Sequence, residues 1–154
     1  MDNDYLNSNY RKLLEDLHRV ILEGGKLSKT DIQMLNPLVL AYVGDSVYDT
    51  FVRTLLVSAG YGHVGKLHKM SIQFVKAKAQ ADILTDIMEK LSDEEQDIVR
   101  RGRNTKAATI PKNADISDYR YATGFEALIG YLYMKGQLDR LMEIIEMVMQ
   151  VKLS

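Results

Sequence analysis

The chain contains no cysteine, which excludes a disulfide framework and a thiolate-held metal and fits a reducing compartment. It has no apolar run approaching the ~20 residues that a membrane-spanning helix needs. The N-terminus, MDNDYLNSNY, is polar and acidic where a secretory leader would be basic and then apolar. Together these absences predict a cytoplasmic protein with no membrane partner. Histidine is scarce as well: His18, His63 and His68 are scattered and offer no metal-ligand spacing. No period-two alternation extends beyond a few residues, and there are no repeats or low-complexity tracts, so the predicted fold class is all-α.

A chain of 154 residues suffices for one domain with a core that needs no covalent staples. Its net charge of −1 taken alone argues against a polyanionic partner, but the average hides a segregation. No acid occurs between Thr50 and Ala81, where Arg53, Lys66, Lys69, Lys76 and Lys78 fall. None occurs between Ile98 and Ala114, where Arg100, Arg101, Arg103, Lys106 and Lys112 fall. Half of the 20 basic residues lie in these windows, while acids gather between Asp82 and Asp97. Folded onto one face, the windows form a phosphate-binding surface; left apart, they are solvated helix faces.

Taken in order, Leu6, Tyr10, Leu13, Leu14, Leu17, Val20 and Ile21 recur at helical spacing and end at Gly24 and Gly25, with His18 on or beside the stripe as a packed or surface residue. Residues 26 to 35 form a linker or short helix. Asn36 and Pro37 then set an N-cap and first turn, and the helix they start runs to Ala59 and Gly60. The GYGHVG segment follows no strand and lacks the Lys-Ser or Lys-Thr ending of a phosphate loop, so no nucleotide cofactor is expected. Lys66 to Lys69 read as a short turn. From Ser71 the pattern Ile72, Val75, Ala79, Ile83, Ile87 predicts one long helix with Lys76, Lys78 and Gln80 on its polar face. Ser92 and Glu95 form a capping box. Residues 102 to 116 read as a long basic loop, and two more helices follow, divided at Gly136.

Two acids stand out in this pattern. Asp45 interrupts the apolar run from Leu38 to Val52, and Glu126 interrupts FEALIGYLY. Burying a carboxylate costs several kcal/mol (about 3–5 when left unpaired), so such an acid has a partner or a task. Two of them can share that cost across a divalent cation, and Mg²⁺ takes one or two carboxylates with waters and phosphate oxygens. The simpler alternative is an ion pair with Arg53 or Arg120. Asp49, one turn after Asp45, is either a further metal ligand or a surface acid. Ser46 has no candidate base beside it, which leaves no nucleophile triad.

The block LAYVGDSVYD, followed by FEALIGYLY, resembles the two signature helices of the ribonuclease III catalytic domain. The stretches LHKMSIQFVKAKAQA, RGRNTKA and PKNADISDYRYATGFEALIG resemble more narrowly the mini-ribonuclease III branch, which has the catalytic domain without a separate double-stranded-RNA-binding domain. The likeness covers about residues 35 to 150, so residues 1–30 are read as an N-terminal extension and 31–154 as the catalytic domain.

The resemblance implies a Mg²⁺-dependent endoribonuclease that cuts double-stranded RNA to 5′-phosphate and 3′-hydroxyl ends, with the large-subunit (23S) ribosomal RNA precursor as natural substrate. A catalytically silent RNA-binding member of the fold is the alternative. Asp45 and Glu126 match the family's catalytic and metal-binding acids. Other acids of the larger pattern are replaced here by Leu38, Ala41 and Thr123. The resemblance also implies a homodimer formed through the first signature helix, with Tyr42 inserting into the partner; in the alternative, Tyr42 is an ordinary core residue. Duplex recognition then falls to the catalytic domain, through Lys76, Lys78, Arg101, Arg103, Asn104, Lys106, Lys112 and Asn113, because A-form RNA is read by shape and phosphate contacts.

Overall fold

A computed structural model describes residues 11–13, 15–21, 27–106 and 109–153, and it is helical throughout its regular elements. After a helical stretch within residues 11–21 come α1 (Lys29–Met34), α2 (Pro37–Ser58), α3 (Val64–Val75) and α4 (Ala77–Ile87). A 3-10 turn (Met88–Lys90) leads to α5 (Asp93–Asn104), α6 (Ile116–Met134) and α7 (Leu138–Leu153).

The hub is α6. Every residue from Ala122 to Leu132 is buried except Glu126, which is half-buried, as expected of a helix that is apolar on nearly all sides and enclosed by others. Glycine lets two neighbours approach it at backbone distance. A β-carbon on Gly44 of α2 would stand 1.7 Å from the Glu126 carbonyl oxygen, and one on Gly130 would stand 1.9 Å from the Leu40 carbonyl oxygen. On the other flank, a β-carbon on Gly124 would meet the Val99 carbonyl of α5 at 2.8 Å. Close approach is what a missing side chain permits. Tyr48 of α2 completes this layer, edge-on to Phe125 at 4.9 Å between ring centroids, its hydroxyl donating to the Phe74 carbonyl at 3.1 Å.

Local signals hold where they are strong. Asn36 caps α2 by accepting from the Leu38 amide at 2.9 Å, and Ser92 and Glu95 make both bonds of the capping box that opens α5. Residues 26 to 35 include a short helix, capped by Ser28 and Asp31. Glu95, 5% exposed, also holds Arg140 of α7 at 2.7 Å and so ties α5 to α7.

Three expectations change. The helix expected to run unbroken from Ser71 is two helices: α3 begins at Val64, and Lys76 adopts extended backbone between α3 and α4. The Val75 carbonyl at this break is satisfied by Gln80 Nε2 at 2.8 Å. Gln80 is consequently 1% exposed and lies off the solvent face assigned to it from periodicity. The basic loop begins later than residue 102, because α5 continues to Asn104 and carries Arg101, Arg103 and Asn104 on its last turn.

The third change concerns α2, which buries one stripe, Leu40, Ala41, Gly44, Tyr48, Val52 and Leu56, and leaves the other side open. Asp45 is exposed, and Tyr42 is 82% exposed and so no core residue. In the N-terminal stretch the stripe Leu13, Leu17, Val20 and Ile21 is likewise exposed, while His18 is the packed residue, edge-on to Tyr133 and bonded to its carbonyl oxygen. Leu6, Tyr10, Leu14, Gly24 and Gly25 lie outside the described residues.

Candidate active site

The Gly44 crossing is what assembles the site. Because α2 meets α6 at the Glu126 main chain, the next residue of α2, Asp45, brings its carboxyl to the side chain of Glu126. The electrostatics show the pairing. Burial, then the charge of Asp45, push the Glu126 carboxyl up to about 7, against a hydrogen bond from the Gln80 side chain that favours the ionised form. Two carboxyls held together with one of them largely desolvated repel when both are ionised, and a proton or a divalent cation between them relieves that repulsion.

Asp49 points to a different use. Its carboxylate pairs with Arg53 Nε at 2.8 Å on the same helix. Among the described residues no cluster of three or more His, Cys, Asp or Glu could hold a metal ion. Thr123, a turn before Glu126, donates to the Tyr119 carbonyl at 2.9 Å. The Asp45 and Glu126 carboxylates, with the Gln80 amide beside Glu126, would offer a cation oxygen donors. That set fits Mg²⁺, which keeps several of its waters, and it fits no metal that wants thiolate or imidazole.

Beyond Thr123 the surface turns basic. One hollow is lined by Arg103, Asn104, Ile116, Ser117, Arg120 and Tyr121, with the Arg103 guanidinium 5.3 Å from the centre of the Tyr121 ring. A second is lined by Thr105, Lys106, Ile110, Tyr119, Arg120 and Thr123. Thr123 lies one turn before Glu126 on α6, which places the second hollow next to that acid along the helix. Lys112 and Asn113 stand exposed on the same loop, Asn113 at a positive φ of 70°, which asparagine tolerates better than most residues.

Not all the basic residues named from sequence are equally free. Arg101 donates to the carbonyls of Gln33 at 2.9 Å and Leu35 at 3.2 Å, closing the end of α1. Lys78 bonds Asp82 at 3.2 Å, and its ammonium is held above the usual range by that bond and charge and then by the charge of Asp118. Lys76 is exposed at the α3–α4 break.

Sequence reasoning missed Arg120 as a shared wall of both hollows, Gly44 and Gly130 as the crossing, and Gln80 as a neighbour of Glu126. The signal for the glycines was available: each sits within a signature helix, where glycine weakens the helix unless a close approach requires it.

Residues 38–137 match the Ribonuclease III domain family. The chain belongs to that family and is an endoribonuclease of the ribonuclease III type. Within it, the chain is 51% identical over 125 residues to Mini-ribonuclease 3 of a Thermoanaerobacter species, covering 81% of this chain and 88% of the relative. It is 50% identical over 129 residues to Mini-ribonuclease 3 of Clostridium tetani, covering 83% and 85%. A crystal structure of a Fusobacterium nucleatum protein shares the fold with a TM-score of 0.69 at 30% identity, covering 75% of this chain and 93% of that one. Among the described residues no helix is long and apolar enough to cross a membrane.

Proposed function

We propose that this chain is a Mg²⁺-dependent endoribonuclease that cuts double-stranded RNA to 5′-phosphate and 3′-hydroxyl ends, acting as a homodimer on the large-subunit (23S) ribosomal RNA precursor. The observation that carries the reading is the coupled pair Asp45 and Glu126, set by the Gly44 crossing beside basic hollows. Mg²⁺ bound there would acidify water and stabilise the charge that builds on phosphorus. Asp45 and Glu126 would hold it, and Asp49, already spent on Arg53, would act from outside the ligand set. Arg103, Asn104, Lys106, Lys112 and Asn113, with Lys76 and Lys78 from the α3–α4 side, take the phosphates of an A-form duplex and orient the strand over the acids. Arg101 contributes by fixing the α5 end that presents Arg103 and Asn104.

The homodimer rests on the open side of α2. Val39, 48% exposed, Tyr42, 82%, and Val57, 59%, put apolar surface where the described residues of a single chain leave it uncovered. A two-fold axis through this helix lets each copy present Tyr42 to the other and gives one site per strand of the duplex. Family resemblance alone supports the ribosomal precursor.

The test is incubation of a perfect RNA duplex with the purified protein in Mg²⁺, in Ca²⁺ and in chelator, beside Asp45→Asn. Mg²⁺-dependent cutting of both strands with paired 3′ overhangs, lost in Asp45→Asn, is the expected result. Binding without cutting in every condition would remove the proposal.

A further inference from the structure

Gln80 is an anomaly in the core. It occupies the first turn of α4 between Ala79, 2% exposed, and Ala81, 6%, and is itself 1% exposed. A buried amide left unpaired costs about 1–3 kcal/mol per group, so each of its atoms needs an explanation. The nitrogen has one. It donates to the Val75 carbonyl at 2.8 Å, and the side chain lies close enough to the Glu126 carboxyl to favour its ionised form. The Val75 carbonyl can only accept, so the nitrogen must face it and the amide cannot be turned around. The oxygen has none among the described residues. Among the described residues, Gln80 Oε1 is the buried side-chain polar atom without a hydrogen-bond partner.

We propose that Gln80 completes the cation site, its nitrogen held by Val75 and its free oxygen presented to the cation or to a water of the cation's shell. This rests on reading Asp45 and Glu126 as the cation's carboxylates. A role confined to the α3–α4 break accounts for the bond to Val75 and leaves both the contact with Glu126 and the unpaired oxygen without a cause. A neutral amide also suits the position electrically. Glu126 already carries the burden of burial and of Asp45's charge, and a third acid there would add repulsion whenever the cation is absent. An amide supplies an oxygen without charge and a donor that steadies the acid. Such supporting contacts are worth about 10–100-fold in metal affinity.

The test measures the dissociation constant of Mn²⁺, by electron paramagnetic resonance of the free ion, on the full chain without RNA. Gln80→Met keeps the length of the side chain and removes its polar atoms; Gln80→Glu keeps oxygen and removes the donor. Both variants lose the bond to Val75, so the difference between them reports the oxygen together with the charge it carries. The expected result is Mn²⁺ binding weakened about tenfold or more in Gln80→Met and equal to or tighter than the unmodified chain in Gln80→Glu. Equal dissociation constants in the two variants would reduce Gln80 to a cap on Val75 and overturn the proposal. If Gln80→Met does not fold, Gln80→Glu decides alone: binding at least as tight as the unmodified chain supports the proposal, and weaker binding overturns it. Glu126→Gln, measured in parallel, separates the two failures. Unchanged Mn²⁺ binding in that variant removes the carboxylate site itself, whereas loss there with no change in either Gln80 variant removes only Gln80.

Discussion

Gly44 and Glu126 meet main chain to main chain: the place a Gly44 β-carbon would take lies 1.7 Å from the Glu126 carbonyl oxygen. No side chain can give way there, because the obstacle is backbone. Gly44→Ala is therefore expected to force α2 off α6 and cost more than about 4 kcal/mol or abolish folding, by overpacking at a buried contact. Gly62→Ala, at a position with nothing within 4 Å, should stay within about 0.5 kcal/mol. Thermal and denaturant melts of the two variants check this.

Removing the charge of Glu126 should separate stability from activity. Glu126→Gln is expected to keep the fold and RNA binding and to lose cleavage by at least about 10²-fold, read from single-turnover cutting of a duplex.

The pH dependence carries a definite sign. The Glu126 carboxyl rises in the folded chain from 4.5 to about 7, so its contribution to stability is fully present below 4.5 and is lost as pH rises through about 7. The shift corresponds to about 3 kcal/mol between those limits. In chelator, the melting temperature of the unmodified chain should fall relative to Glu126→Gln between these pH values. Cleavage should move in the opposite direction, rising as Glu126 ionises to receive the cation. A melting difference that is flat with pH would show that the carboxyl is not held as described.

Arg101 and Arg103, two residues apart, should behave differently. Arg101→Ala removes donors to the Gln33 and Leu35 carbonyls and is expected to cost about 1–3 kcal/mol of stability. Charge reversal at Arg103 and Lys106 should instead weaken duplex binding and reduce the slope of log affinity against log salt by about 1–2. Filter binding across a salt series, with melts alongside, distinguishes them.

Tyr42→Lys places a charge at the centre of the open α2 face. It should shift the sedimentation profile toward the monomer and weaken self-association by about 30-fold or more, the worth of a central aromatic anchor. A chain that sediments unchanged would place the contact between copies elsewhere.

Much of the fold was legible in residues with one strong local meaning. Asn36 with Pro37, and Ser92 with Glu95, placed helix starts correctly because capping depends on neighbours alone. The pairing of Asp45 with Glu126 came from the oddity of an acid in an apolar run, but for Asp45 the reason was wrong: its side chain is exposed, and Glu126 carries the burial. What periodicity could not show was the break at Lys76. The apolar spacing continues across it almost unchanged, and the cause of the break includes the Gln80 side chain folding back onto Val75. That slip of register is why Gln80 read as a surface residue. Arg101 was misjudged for a similar reason, since its acceptors are backbone carbonyls more than sixty residues away in sequence.

The reciprocal glycine contacts lie one turn apart on both helices, Leu40 and Gly44 against Glu126 and Gly130. Translation and rotation of α2 on α6 are both blocked, so the acids are positioned by the most enclosed part of the molecule and not by a mobile loop. Local opening cannot release them. Amide hydrogen exchange along this crossing should follow global unfolding, and denaturant should remove the paired-acid geometry in the same transition that melts the chain.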